Sequence, residues 1–163
     1  MALYYNNANI AQSANVFFNN AACKDVYFNN QLVWRKQLIL FSAGTFGTLG
    51  VPIKNYVEGS AWQASTITGL SWLINCDGRC DWWFPLNISG YNSINIIVSG
   101  REGAGTCYMF ATTGSRDKWG VNAEYVQNIG IPGTYSLPIT NSTVWIGIEA
   151  LKGGIYISNM WLS

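Results

Sequence analysis

The stretch VWIGIE, residues 144–149, alternates apolar side chains with other side chains in the manner of a β-strand. A period of two places Val144, Ile146 and Ile148 on one face, where they can join a core. Trp145 falls on the opposite face. We therefore expect Trp145 to lie outside that core or to pack against a further surface.

Similar short strands recur along the chain. Runs of β-branched and aromatic residues are separated by Gly, Asn-Ser and Pro-Gly, whereas helical periodicity is almost absent. Strands are predicted at 94–98, 107–111, 144–148 and 155–162, among others. Many short strands at regular spacing predict an all-β fold, a sandwich or a barrel. We assign residues 38–163 to one sandwich domain.

Residues 1–37 have a different texture. Two aromatic residues followed by Asn-Asn occur three times, and each repeat predicts a strand that runs into an Asn-Asn turn. The third repeat continues into a predicted β-hairpin over 26–36. So small a unit cannot bury its own core, so its aromatic side chains should dock on the rest of the chain or on another protein. The predicted docking residues are Tyr4, Tyr5, Phe17, Phe18, Tyr27, Phe28 and Trp34.

The composition limits the partners. Only 10% of the 163 residues are charged, against roughly a quarter in ordinary domains, and the formal net charge is +1. Because no run of Lys and Arg exists to neutralise phosphates, we expect no nucleic-acid partner. The apolar stretches have the length of strands, and the chain starts without a signal-peptide pattern. We expect no membrane insertion, and synthesis in a cytoplasm.

The chain contains no histidine. This excludes Ser-His-Asp and Cys-His nucleophile systems and most transition-metal sites. The scattered carboxylates, among which Asp117 and Glu124 could pair by chance, do not indicate a glycosidase. We therefore predict a protein without enzymatic activity, catalytic residues or cofactors.

Two questions about ions and thiols stay open in the sequence. A structural calcium ion could use the turn at 77–81 or the loop at Glu102, although the spacing of an EF-hand is missing. Cys76 and Cys80 flank a predicted tight turn, where they could form a disulfide or stay as free thiols.

The loop at 115–125 is the predicted ligand-binding segment. It combines aromatic rings with polar side chains, a combination that suits a neutral sugar: a ring stacks on the pyranose while polar groups bond its hydroxyls. The alternative is that Trp119 closes the end of the sandwich and the charged side chains are merely solvated. The predicted ligand-binding residues are Arg116, Asp117, Trp119 and Tyr125.

Several segments resemble a known family. The stretches FSAGTFG (41–47), LNISGYNSINIIV (86–98), VWIGI (144–148) and IYISNMWL (155–162) resemble the galactose-binding-like jelly-roll modules of tail and other virion proteins of phages and prophages. Residues 25–36, DVYFNNQLVWRK, resemble a short hairpin that such proteins carry, usually with Gly in place of Asn30. The resemblance implies a jelly-roll β-sandwich with a small N-terminal β-hairpin extension. It carries over no catalytic residue.

Two functions follow from this sequence. The first is a tail-fibre or tail-tip adhesion module that binds host-surface glycan, with residues 1–37 docking it to other virion proteins. The alternative is a capsid or tail decoration protein whose ligand is the particle itself. Both place the protein in the virion after synthesis in the host cytoplasm. Both also predict self-association, most simply as a trimer, since aromatic edges without charged residues invite pairing.

Overall fold

The structure is a computed structural model that describes residues 4–5, 8–9, 17–18, 21–22, 25–29, 31–35, 37–47, 49–50, 53–56, 65–75, 78–81, 85–113, 123–141 and 143–163. Every regular element in these ranges is a β-strand, which confirms the predicted all-β class. None of the described residues belongs to a helix that could cross a membrane. The chain divides into two compact units, Met1–Leu38 with Ser163, and Ile39–Leu162.

The described residues of the first unit form three small antiparallel hairpins. Each hairpin flanks one of the three Asn-Asn pairs, and Asn29 of the last pair has a positive φ of 48°, which asparagine tolerates better than most residues. The observed strands therefore follow the aromatic repeats of the sequence. The hairpins are β1 (Tyr4–Tyr5) with β2 (Ala8–Asn9), β3 (Phe17–Phe18) with β4 (Ala21–Ala22), and β5 (Asp25–Phe28) with β6 (Gln31–Arg35).

In the second unit, the described strands form one eleven-stranded sheet. The strands are β7 (Leu38–Ser42), β8 (Thr45–Phe46), β9 (Ile53–Tyr56), β10 (Ser65–Thr68), β11 (Ser71–Asn75), β12 (Gly78–Asp81), β13 (Leu86–Asn87), β14 (Ser93–Thr112), β15 (Tyr125–Asn128), β16 (Gly133–Pro138) and β17 (Thr143–Leu162).

Two strands of 20 residues each, β14 and β17, form the centre of this sheet. They pair antiparallel along their whole length, from Ile94 opposite Leu162 to Thr112 opposite Trp145. The other edge of β14 pairs with β16 at one end and with β15 at the other. The other edge of β17 pairs with β11, β12, β13 and β7. Each long strand thus holds two sets of neighbours.

The long pair is irregular in its middle. The register between β14 and β17 shifts three times between Ile97 and Thr106, which marks β-bulges. A Cβ atom on Gly105 would lie 1.8 Å from the Leu151 carbonyl oxygen, so the two backbones approach there as only glycine allows. The Arg101 guanidinium fixes this segment, because its Nε and Nη2 donate to the carbonyl oxygens of Gly103 (2.8 Å) and Gly105 (2.9 Å).

The sheet curls back on itself at this irregular segment, here called the bend. Asn87 pairs with Thr143 at the start of β17, whereas Ile94 pairs with Leu162 at its end. Seven residue steps from 87 to 94 span at most about 25 Å, but a straight strand of the length of β17 would measure about 60 Å. The ends of β17 are therefore brought together. Such a curled antiparallel sheet is consistent with the predicted β-sandwich; the more specific jelly-roll strand order stays a prediction.

The core is made of apolar side chains from the central strands and their neighbours. The predicted core face of VWIGIE is confirmed, because Val144, Ile146 and Ile148 are fully buried. The other face of this segment is also partly covered, since Glu149 is only 5% exposed and Trp145 is half-buried. This part of β17 is thus packed on both sides.

Three aromatic rings pack together between β7, β8 and β11. Phe46 lies 5.1 Å from both Phe41 and Trp72, measured between ring centroids, and Phe41 lies 5.9 Å from Trp72. Such tilted contacts favour a fixed arrangement of the rings. They attach the β7–β8 hairpin to β11.

Candidate functional site

The candidate site lies where the ends of several strands meet. Tyr125 is the first residue of β15 and pairs with Ala111, near the end of β14. Of the four residues predicted to bind a ligand, Tyr125 is within the described part of the chain. Arg116, Asp117 and Trp119 lie outside the described residues, so their proximity to Tyr125 stays a prediction.

The Tyr125 hydroxyl connects β15 to the segment between β16 and β17. It lies 2.8 Å from the Thr140 hydroxyl, and the side-chain amide of Asn141 donates a hydrogen bond to it at 2.9 Å. Tyr125 is half-buried, while Thr140 and Asn141 are exposed. These three side chains, here called the Tyr125 cluster, therefore form a connected polar surface at this end of the domain.

A second contact joins the two described residues Thr113 and Glu124. The backbone N–H of Thr113 donates to the Glu124 carboxylate at 3.1 Å, and these residues stand on either side of segment 114–122. Glu124 thus connects the start of β15 to the end of β14. Whether it also pairs with Asp117, as the sequence allowed, lies outside the described residues.

The chemistry of the Tyr125 cluster is neutral. Two hydroxyls and one carboxamide can both donate and accept hydrogen bonds, as a ligand rich in hydroxyl groups requires. Among the residues that the structure describes, no group of three or more His, Cys, Asp or Glu side chains could hold a metal ion. The cluster is therefore suited to hydrogen bonding.

The two suggested calcium positions can be located in part. Asp77 lies outside the described residues, and for Asp81 the structure describes the strand but not the side chain. The Glu102 carboxylate accepts a hydrogen bond from the Tyr156 hydroxyl. A calcium ion at either position stays a prediction.

The predicted docking residues all lie in described strands of the first unit, but only the side chain of Tyr27 is described, and it is 58% exposed. The side chains of Tyr4, Tyr5, Phe17, Phe18, Phe28 and Trp34 lie outside the described set. Cys76 also lies outside it, as does the side chain of Cys80, so their pairing stays open.

Thr140 and Asn141 were not predicted from the sequence. They stand 15 and 16 residues from Tyr125 in a polar segment between two strands, and no motif connects them to it. Their contact with Tyr125 comes from the curl of the sheet.

No model of a known protein family matches this chain, and no curated protein matches it. The resemblance to phage virion modules therefore depends on the segments quoted above and stays a prediction.

Proposed function

We propose that this protein is a non-enzymatic virion protein of a phage, a tail-fibre or tail-tip adhesion module that binds host-surface glycan. The observation that supports this best is the Tyr125 cluster, a neutral hydrogen-bonding surface built on the last residue of the predicted binding segment 115–125. Sugars present hydroxyl groups and apolar ring faces, and they are bound by polar side chains together with aromatic rings.

The binding residues would be held by a rigid scaffold. Tyr125 belongs to a strand of the central sheet, and its hydroxyl is already oriented by Thr140 and Asn141. A ligand that bonds to these groups would pay little conformational entropy for ordering them. Exposed loops on a β scaffold are a common place for binding residues.

The test is a glycan array with the full chain and three variants. Trp119→Ala removes the proposed stacking ring and should abolish binding, whereas Tyr125→Phe and Asn141→Ala each remove hydrogen bonds and should weaken it about fivefold. Tyr135→Phe is the matched control. The Tyr135 hydroxyl donates to the Ile131 carbonyl, outside the cluster, so this variant should bind like the wild type. A folded protein that binds no glycan, or unchanged binding in all three variants, would contradict the proposal.

A second candidate is a capsid or tail decoration protein that binds the particle itself. The exposed ring of Tyr27, on the β5–β6 hairpin, favours it, because an aromatic side chain in that position is available to a protein partner.

In both cases we propose that other virion proteins are partners and that the chain self-associates, with a trimer as the simplest state. Copy number separates the two candidates, as discussed below.

A further inference from the structure

A second aromatic surface lies at the bend of the long strand pair. Tyr156 of β17 stands between Ile155 and Ile157, which are both fully buried. Since side chains alternate along a strand, the Tyr156 ring lies on the opposite, outer side of the sheet. It is half-buried there.

The backbone of β14 supports this ring. Gly100 is the register partner of Tyr156, and a Cβ atom on Gly100 would lie 3.1 Å from Tyr156 Cδ2. The same Cβ would lie 3.6 Å from Cβ and Cγ of Tyr156. The ring therefore rests directly against the glycine, and a larger residue would displace it.

The hydroxyl end of the ring is also fixed. Glu102 follows Gly100 by two residues and accepts a hydrogen bond from the Tyr156 hydroxyl. This bond, with smaller contributions from desolvation and from the negative charge of Glu102, raises the pKa of Tyr156 above its usual value.

Hydroxyl groups border the same surface. Ser99 is the extra residue of a bulge, because Val98 pairs with Ile157 and Gly100 with Tyr156. The Ser99 hydroxyl donates to the Tyr156 carbonyl oxygen at 3.2 Å and lies 3.5 Å from the Ser71 hydroxyl. Ser99 is exposed and Ser71 is half-buried, so the Ser99 hydroxyl can be reached by a ligand.

We propose that Tyr156, Glu102 and Ser99 form a second binding site, on the outer face of the bend, for a neutral pyranose sugar. The ring offers a flat apolar face, and the carboxylate and the hydroxyl groups accept or donate to sugar hydroxyls. The Glu102 charge disfavours an acidic sugar such as sialic acid. The ring is held at both ends before the sugar arrives, so its binding costs little ordering.

This site shares its ligand class with the proposed function but none of its residues, so the two can fail separately. The test follows tyrosine ring resonances by NMR while lactose, diacetylchitobiose or sialyllactose is added to the full chain. We expect the neutral sugars to shift the Tyr156 resonances and sialyllactose to shift them less. Tyr156→Ala should weaken this binding about tenfold, whereas Tyr156→Phe, which keeps the ring, should retain most of it.

Glu102→Gln gives a separate readout. It removes the negative charge, so it should lower the Tyr156 pKa toward its usual value and reduce the discrimination against sialyllactose. Wild-type Tyr156 resonances that do not move at a saturating concentration of either neutral sugar would overturn the inference.

The variants also separate this inference from the proposed function. If Tyr156→Ala binds like the wild type while Asn141→Ala is weakened, this site is wrong and the proposed function stands. If the effects are reversed, this inference stands and the Tyr125 cluster is not the site. If the folded wild type binds no glycan, both are wrong.

Discussion

Cys107 shows how the core sets the chemistry of a single residue. Its thiol is free and only 1% exposed. Burial raises its pKa from 9.0 to about 11, although the Arg101 charge and a backbone hydrogen bond at Leu151 oppose this shift. The thiolate is the reactive form of cysteine, so Cys107 should be inert at neutral pH.

We predict that iodoacetamide at about pH 8 leaves Cys107 unmodified in the native protein and alkylates it in denaturant. The pH dependence has a definite sign. Because the pKa is higher in the folded state, the contribution of Cys107 to stability is complete below pH 9.0 and is lost as the pH rises to about 11. Peptide mass spectrometry measures the alkylation, and denaturant unfolding between these pH values measures the stability.

Cys107→Ala is the control for the second measurement, since it should reduce the loss of stability over this pH range. Rapid alkylation of Cys107 in native buffer would show that the residue is not buried as described.

Of the individual residues of the candidate site, the sequence identified only some. Tyr125 could be selected because it ends a segment that mixes aromatic and polar residues. Thr140 and Asn141 could not, because a hydrogen bond across 15 or 16 residues depends on how the sheet curls and leaves no local pattern. The Tyr156 surface was missed for a similar reason: its support, Gly100, belongs to another strand.

Among the elements, the predicted and the observed strands differ at the bend in β14 and β17. Strands were predicted at 94–98 and 107–111, and at 144–148 and 155–162. The structure joins each pair into one strand of 20 residues. Glycine usually weakens a strand, but at 100, 103 and 105 the glycines produce bulges and close backbone contacts that continue the pairing. A local pattern predicts the ends of a strand poorly when a partner strand maintains the ladder.

We predict that Gly105→Ala destabilises the protein by about 2–4 kcal/mol, because the new methyl group would overlap the Leu151 carbonyl and force the bend apart. Gly133→Ala is the matched control. A Cβ atom there would lie 3.6 Å from the Tyr135 ring, an ordinary contact, so the change should stay within about 1 kcal/mol. Urea unfolding followed by tryptophan fluorescence measures both. Equal stability of the two variants would contradict the described bend.

For the whole molecule, the low fraction of charged residues predicts how copies of the protein interact. With 10% charged residues, the surface depends on neutral polar groups for solubility, and like-charge repulsion between copies is weak. This composition predicts a subunit of an assembly. The all-β class could be predicted because strand patterns are local. The topology could not, because the pairing of β17 with five other strands depends on residues far apart in the sequence.

We predict that the protein is present in purified particles in roughly a few to tens of copies and that it is a trimer in solution. Quantitative mass spectrometry against a capsid protein of known copy number measures the first quantity, and light scattering the second. Hundreds of copies per particle would favour the decoration protein, and absence from particles would exclude both candidates.

The long strand pair also affects how the domain unfolds. One half of the β14–β17 pair also bonds to β16 and β11, and the other half bonds to β15 and β12. The same two strands are therefore the centre of both halves of the sheet. Opening one half would fray the ladder on which the other depends. The domain should therefore unfold as a single foldon, in which the slowest-exchanging amides of both halves report the same free energy of global opening.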